Sequence, residues 1–253
     1  MIGSKVRSRS RRQFSFVPLI PGMIAWELIG RLHVSFFIPP FSEVVLVWFE
    51  ILHAGKLWDA LVISFETFVV GFSLALVLGL ILGVMMGRYR GVEHFFDLYI
   101  NTFMSAPVSA LVPVLMVLFG LGIGTIVATV FMFSFFVIVV DTTTGIKSIN
   151  PSLIQMARSF GGSEFQILPK VILPGALPEI LTGVRLGAIR GIKGMVIGQL
   201  LIALTGLGER LVYYGNSFLI PQLYAIILTV IVFSILLIEL FNFLERSLIH
   251  WKR

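Results

Sequence analysis

The chain has 253 residues, 57% of them hydrophobic and 13% charged, with a formal net charge of +6 and a mean hydropathy of +1.00. A soluble domain carries about 25% charged residues, so this composition excludes an ordinary soluble enzyme. The absence of cysteine excludes disulfides and thiolate metal sites. The apolar runs are long and unbroken rather than alternating, which marks an all-α polytopic membrane protein and not a barrel. At roughly 20 residues per span there is room for five or six spans plus loops.

The first 13 residues form a basic tail with Lys5, Arg7, Arg9, Arg11 and Arg12, read as a topology anchor and as cytoplasmic; residues 14–253 follow as a single transmembrane domain. No A-x-A-like site closes the first apolar run, so a retained span is expected at about 14–32. Pro39-Pro40 then breaks the chain, and Ser42 is placed to cap an amphipathic helix carrying Glu43 and Glu50 that lies along the interface. Span two is expected at about 61–87. Span three, at about 92–119, is interrupted near Ser105-Ala106-Pro107 and again at Pro113, as either a gate element or a plain kink. Span four runs from about 122 to 143, span five from about 177 to 203 and span six from about 222 to 245, with a loop at 204–220 between the last two.

With the N-terminus inside, the inner loops hold Arg88, Arg90, Lys147, Arg158, Lys170, Arg246, Lys252 and Arg253, against Arg31, Lys56 and Arg210 outside. This positive-inside bias puts both termini in the cytoplasm. It also makes the net charge a membrane signature rather than one for nucleic acid.

Residues 150–174, NPSLIQMARSFGGSEFQILPKVILP, are a polar interruption with local order of their own. Asn150 suits an N-cap and Pro151 the first helical position. Leu153, Ala157 and Phe160 recur on one face beside Ile154. Gly161-Gly162 stops that helix. Ser163 and Gln166 form a capping box for a second short helix, which Leu173-Pro174 is expected to end. The product is a helix–turn–helix finger on the cytoplasmic side.

That finger resembles the EAA loop of permease subunits in ATP-binding-cassette (ABC) importers, whose pattern is EAA, three residues, Gly, nine residues, then I-x-L-P. Here Gln155, Met156 and Ala157 stand at the EAA positions, Gly161 follows at the right gap, and Val171, Ile172, Leu173 and Pro174 close the motif. The stretches His33–Val44, Gly55–Phe72, Leu173–Gly191 and Thr205–Leu211 resemble the nitrate/sulfonate/taurine/bicarbonate branch of type I importers. The resemblance implies a bacterial inner-membrane subunit that pairs with a second permease copy and docks two cytoplasmic ATPases on its finger. It also implies an extracytoplasmic solute-binding protein, and a cargo of the small-oxyanion type. Other members carry heterocyclic vitamin precursors or aromatic acids. On this reading ATP and Mg are bound by the partner ATPase and no cofactor by this chain, which has no G-x-x-x-x-G-K-[ST] loop.

Gln155, Met156, Ala157, Phe160, Gly161, Val171, Leu173 and Pro174 are therefore the coupling candidates. Ser105, Pro107, Pro113, Arg185, Arg190, Lys193 and Gln199 are the candidates for the path or its gate. Charge at membrane depth faces a cavity or a partner. Arg190 and Lys193 share a helical face and Arg185 does not. Two readings stand: Arg185 and Arg190 snorkel to the inner interface or bind the finger, or Arg190 and Lys193 line the inner part of the path and attract an anion. Gly187, Gly191, Gly194 and Gly198 allow close helix approach, for packing, a dimer seam or the path. His33, His53, His94 and His250 are scattered, so no metal site or catalytic residue is assigned. An intramembrane enzyme and a passive channel are the readings of another class; the first lacks a catalytic pair and the second has no use for a docking finger.

Overall fold

The apolar runs are helices in the structure, a computed structural model that describes residues 19–32, 34–55 and 57–248. The basic tail, the start of the first expected span, His33, Lys56, His250, Lys252 and Arg253 lie outside the described residues, as does the side chain of Arg246. The order is α1 (Leu19–Arg31), α2 (Phe41–His53), α3 (Trp58–Arg88), α4 (Arg90–Ser105), a 3-10 turn (Val108–Leu111), α5 (Val112–Phe119) and α6 (Ile123–Lys147). It continues with α7 (Pro151–Ser159), α8 (Glu164–Ile167), a π turn (Leu168–Ile172), α9 (Leu173–Ile202), α10 (Gly206–Asn216) and α11 (Ile220–Leu248). No strand occurs among the described residues.

Helix α3 carries a small residue at every fourth position, Thr67, Gly71, Ala75, Gly79, Gly83 and Gly87, and this stripe lets α6 approach at backbone distance. A Cβ built on Gly83 would lie 2.6 Å from Thr142 Cβ, and one on Gly87 would lie 2.7 Å from Ile146 Cβ. Thr143 Oγ1 donates to the Gly83 carbonyl at 3.2 Å across the same contact. Gly71 faces Val130, Gly79 faces Ile138, Gly83 faces Thr142 and Gly87 faces Ile146. Both numbers rise together, so α3 and α6 run parallel. On the other side of α6, Gly183, Gly187, Gly191 and Gly198 face Asp141, Ile138, Ser134 and Thr129. There one number rises as the other falls, so α9 is antiparallel to α6. The α9 glycines serve close packing on α6.

The parallel pair has a topological consequence. The chain leaves α3 at one end of the bundle and must begin α6 at the other. Helices α4 and α5, bent 95° at their break, therefore make one net crossing. Among the described residues, four single helices and this bent pair are long and apolar enough to span a membrane, giving up to 5 spans. A sixth span is not confirmed: 13 residues of the first expected run form α1, and the start of that run lies outside the described residues. The expected second interruption at Pro113 is also absent. Pro113 sits in the first turn of α5, where its missing N–H breaks no helical bond.

Ser42 does not cap α2; it is the second residue of that helix, and Glu27 of α1 supplies the acceptor instead. Ser42 N–H and Oγ donate to the Glu27 carboxylate at 2.9 and 2.8 Å. A negative group at a helix N-terminus satisfies orphan donors and opposes the dipole. The contact pins α1 to α2.

The 204–220 segment, expected as a loop, contains helix α10. Its first-turn donors are capped from a distance. Leu207 N–H donates to Ser64 Oγ at 3.1 Å, and Gly208 N–H donates to Gln199 Oε1 at 3.1 Å.

Candidate functional site

The finger forms from the local signals in its sequence. Asn150 accepts from Ser152 N–H at 2.9 Å, with Pro151 as the first residue of α7. Gly161 N–H reaches the Arg158 carbonyl at 2.9 Å, and Gly162 N–H the Ala157 carbonyl at 3.0 Å. That pair of bonds is the Schellman stop, with the left-handed residue at Gly161, φ +78°. Ser163 and Gln166 make the reciprocal capping box. One face of the finger is anchored: Ile154, Ala157, Ile167, Val171, Ile172 and Leu173 pack on the cluster of Ile146, Ala176 and Ile180. The other is presented. Phe160 is 85% exposed and Phe165 92%, with Leu153, Met156 and Gln155 exposed beside them. Glu164 ties the two arms, accepting from Arg158 at 2.8 Å and pairing with Arg88 at the end of α3.

The second arm does not end at Leu173-Pro174. Helical structure is continuous from Glu164 to Ile202. Leu173 N–H bonds the Leu168 carbonyl through the π turn, and this wider turn accommodates the missing N–H and the ring of Pro174. The finger is thus one end of a 39-residue helical rod.

The same rod carries Arg190 and Lys193. Both line a cleft of about 380 Å³ whose other walls come from the α4–α5 break (Ala106, Val108 and Ser109) and from Phe103, Met104, Met132, Phe133, Phe136 and Ile197. Gly191, next to Arg190, faces Ser134, midway along α6, so the cations lie near mid-membrane. No acidic side chain lines the cleft. The arrangement offers two positive charges against aromatic and thioether walls, which suits an anion with a short apolar body.

The other path candidates are placed elsewhere. Arg185 is half-buried on α9 and does not line the cleft. Pro107 precedes the 3-10 turn at the break. Ser105 opens on a neighbouring groove with His94, Asp97, Leu98, Asn101 and Thr102. That polar face of α4 was missed in the sequence, although polar residues recur at 94, 97, 101 and 105, the helical spacing.

Gln199 departs most from expectation. It is completely buried; its Nε2 donates to Ser64 Oγ at 2.9 Å, while its Oε1 accepts from Gly208 N–H. It joins α3, α9 and α10 and leaves no polar atom for a path. Gln199→Leu should strip the Gly208 N–H of α10 and the Ser64 hydroxyl of their Gln199 partners at once. Each orphaned buried group costs about 1–3 kcal/mol, so a fall in thermal stability of the purified protein is expected, with loss of α10 protection in hydrogen exchange. An unchanged melting temperature would return Gln199 to the list of path residues.

Fold and site together define a polytopic helical membrane protein with an ordered finger in helical continuity with a cationic cleft. Residues 75–250 match the family of the binding-protein-dependent transport system inner membrane component, and the chain belongs to that family. It is 33% identical over 225 residues to an aliphatic sulfonates transport permease protein, SsuC, of Escherichia coli (strain K12), covering 87% of this chain and 83% of that one. It is 35% identical over 140 residues to the taurine transport system permease protein TauC of the same strain, covering 55% and 50%. It is 31% identical over 140 residues to the riboflavin transport system permease protein RibX of Chloroflexus aurantiacus, covering 55% and 52%. The matched region thus spans about half the length of these last two relatives. Among solved structures, an inward-facing form of the MetNI methionine ABC transporter aligns with a TM-score of 0.58 at 21% identity, over 76% of this chain and 93% of that one. This is a likeness of fold.

Proposed function

We propose that this chain is the transmembrane permease subunit of an ATP-driven importer, and that it carries a small organic anion of the sulfonate type through a path containing the Arg190–Lys193 cleft. The observation that carries the reading is the unbroken helix from Glu164 to Ile202. It joins an exposed aromatic docking surface to a cationic cleft about 39 Å away along the rod. Phe165, exposed at the finger end of the rod, and Arg190 share one helix, so a partner that grips the finger at Phe165 pulls on the element that carries Arg190. Such a rod converts a partner's closure into a change at the path, as coupling between two sites requires.

In this reading two separate ATPase subunits supply hydrolysis and bind ATP and Mg, while this chain is non-catalytic. A second copy of the chain completes the path, and an extracytoplasmic binding protein delivers the cargo. The finger end of the bundle is cytoplasmic, because Arg88, Arg90, Lys147, Arg158 and Lys170 gather there, whereas Arg31 and Arg210 mark the opposite end. The taurine and sulfonate relatives support an anionic cargo, as do the two cations of the cleft. The aromatic walls favour an organic anion over nitrate or bicarbonate. The riboflavin relative supports a heterocyclic cargo as the second reading.

The test is copurification. Tagged wild-type chain, coexpressed with the ATPase subunit of its source organism, is expected to retain that ATPase. Phe160→Asp, which puts a charge at the centre of the presented face without touching the anchored one, should reduce the retained ATPase at least about tenfold, or 1.4 kcal/mol. Full retention by that variant would remove the finger from the coupling role.

A further inference from the structure

The two aromatic rings of the finger tip have little around them to fix their aim. Phe160 and Phe165 are both exposed, and the arms that carry them are short, 9 residues in α7 and 4 in α8. The apolar anchors Ile154, Ala157 and Ile167 serve the opposite face. Beyond the backbone bonds of the turn itself, the tie at the tip is ionic. Glu164 opens α8 beside Phe165, and its Oε1 accepts from Arg158 Nε of α7 at 2.8 Å. Its Oε2 accepts from Nη2 of Arg88, the last residue of α3. One carboxylate therefore joins three elements, with an arginine on each oxygen. Such charge-assisted bonds are roughly twice as strong as neutral ones.

Arg88 is the fixed end of this bridge. A Cβ on its neighbour Gly87 would lie 2.7 Å from Ile146 Cβ, so the end of α3 cannot shift without unpacking from α6. The end of α6 is tied in turn, through Lys147 to Glu93 in the first turn of α4. The Arg88 side chain is only 25% exposed, and its guanidinium carbon stands 5.9 Å from the centre of the Tyr89 ring. That is within cation–π range, about 6 Å. The guanidinium is thus held in place before Glu164 meets it, and a partly buried charge is screened less than an exposed one.

We propose that Glu164 is the positioning residue of the docking surface, and that it acts through Arg88 to set the angle at which Phe160 and Phe165 meet the ATPase. The inference deepens the coupling reading and rests on it. A surface aimed correctly only part of the time binds with an affinity reduced by that fraction. Apolar anchoring is not weakened by salt, whereas an ion pair is. The pair therefore leaves a signature in docking that packing alone does not.

Docking of the source organism's ATPase to the full-length chain in nanodiscs is measured at about 0.1 and about 1 M salt, where the Debye length falls from about 10 to about 3 Å. At the lower salt, Arg88→Gln should weaken docking about fivefold, close to 1 kcal/mol, and Glu164→Gln at least as much. The double variant should match Glu164→Gln within about twofold, the ordinary scatter of such cycles, because both changes break one pair. Arg88→Lys keeps the charge and should recover most of the loss. At the higher salt the gap between wild type and Arg88→Gln should close. In the chain alone, amide exchange across residues 158–167 should quicken in Arg88→Gln. Losses that multiply in the double variant, or a gap that persists at high salt, would overturn the assignment. If both single variants dock like the wild type while Phe160→Asp does not, the positioning role falls and the coupling reading stands. If Phe160→Asp docks fully as well, both fall together.

Discussion

Gly161→Val is expected to disconnect the chain from its ATPase while leaving the membrane bundle folded. Gly161 has φ +78°, and a Cβ added there would meet nothing within 4 Å. The harm is therefore conformational and not steric. A β-branched residue forced into the left-handed region costs about 1–3 kcal/mol, comparable with the two Schellman bonds at about 1 kcal/mol each that hold the turn. The turn re-forms with another geometry and Phe160, its immediate neighbour, is re-aimed. If that strain appears wholly as lost docking, affinity for the ATPase falls roughly 5- to 150-fold. Gly161→Asn is the matched control, because asparagine visits the left-handed region readily; it should lose no more than about threefold, under 1 kcal/mol. Pull-down and ATP-dependent uptake in vesicles measure both variants, with size-exclusion profiles as the check on folding. A valine variant that docks and transports like the wild type would sink the coupling assignment.

The finger was legible because everything that builds it is local. An N-cap, a glycine stop and a capping box each act within a few residues, and all three form as read from Asn150, Gly161 and Ser163-Gln166. The split between its anchored and presented faces was only half legible. Periodicity put Leu153, Ala157 and Phe160 together, but the structure buries the Ala157 side and leaves Phe160 out. Position against α6 and α9 decides that, and sequence spacing does not.

The misreadings share one physical origin, a remote or unusual partner for a backbone group. Pro174 reads as a helix end unless a π turn precedes it. Segment 204–220 reads as a loop because its N-terminal donors find acceptors on Ser64 and Gln199 rather than on a neighbouring cap. Gln199 in turn reads as a path residue, because a lone amide in an apolar run gives no hint that Gly206 and Gly208 will fold back against it. Spacing alone put Arg190 and Lys193 on one face, and the structure adds the α4–α5 break opposite them.

Lys193→Ala should lower uptake of a radiolabelled alkanesulfonate, with ethanesulfonate as the first probe, at least about tenfold while the ATPase still copurifies. A unit charge about 5 Å from an anion contributes up to about 3 kcal/mol at an effective dielectric constant near 20. Part of this is lost to desolvation of the pair, which leaves roughly the 1.4 kcal/mol that a tenfold change represents. Arg190→Gln should act in the same direction but less strongly, since both cations line the cleft while Asp141 of α6 also interacts with Arg190. Lys193→Glu should do more than remove attraction: it places an anion beside the path and is expected to abolish uptake. Lys193→Arg keeps the charge and should retain much of the activity. Docking is untouched in all four variants because the finger lies about 39 Å along the rod. This separation gives the experiment its force. If Lys193→Ala loses ATPase and uptake together, the lysine holds the fold and not the cargo. If uptake is unchanged, or falls equally for ethanesulfonate and for a neutral probe such as riboflavin, the cleft does not select by charge, and the organic-anion reading gives way to the heterocyclic one.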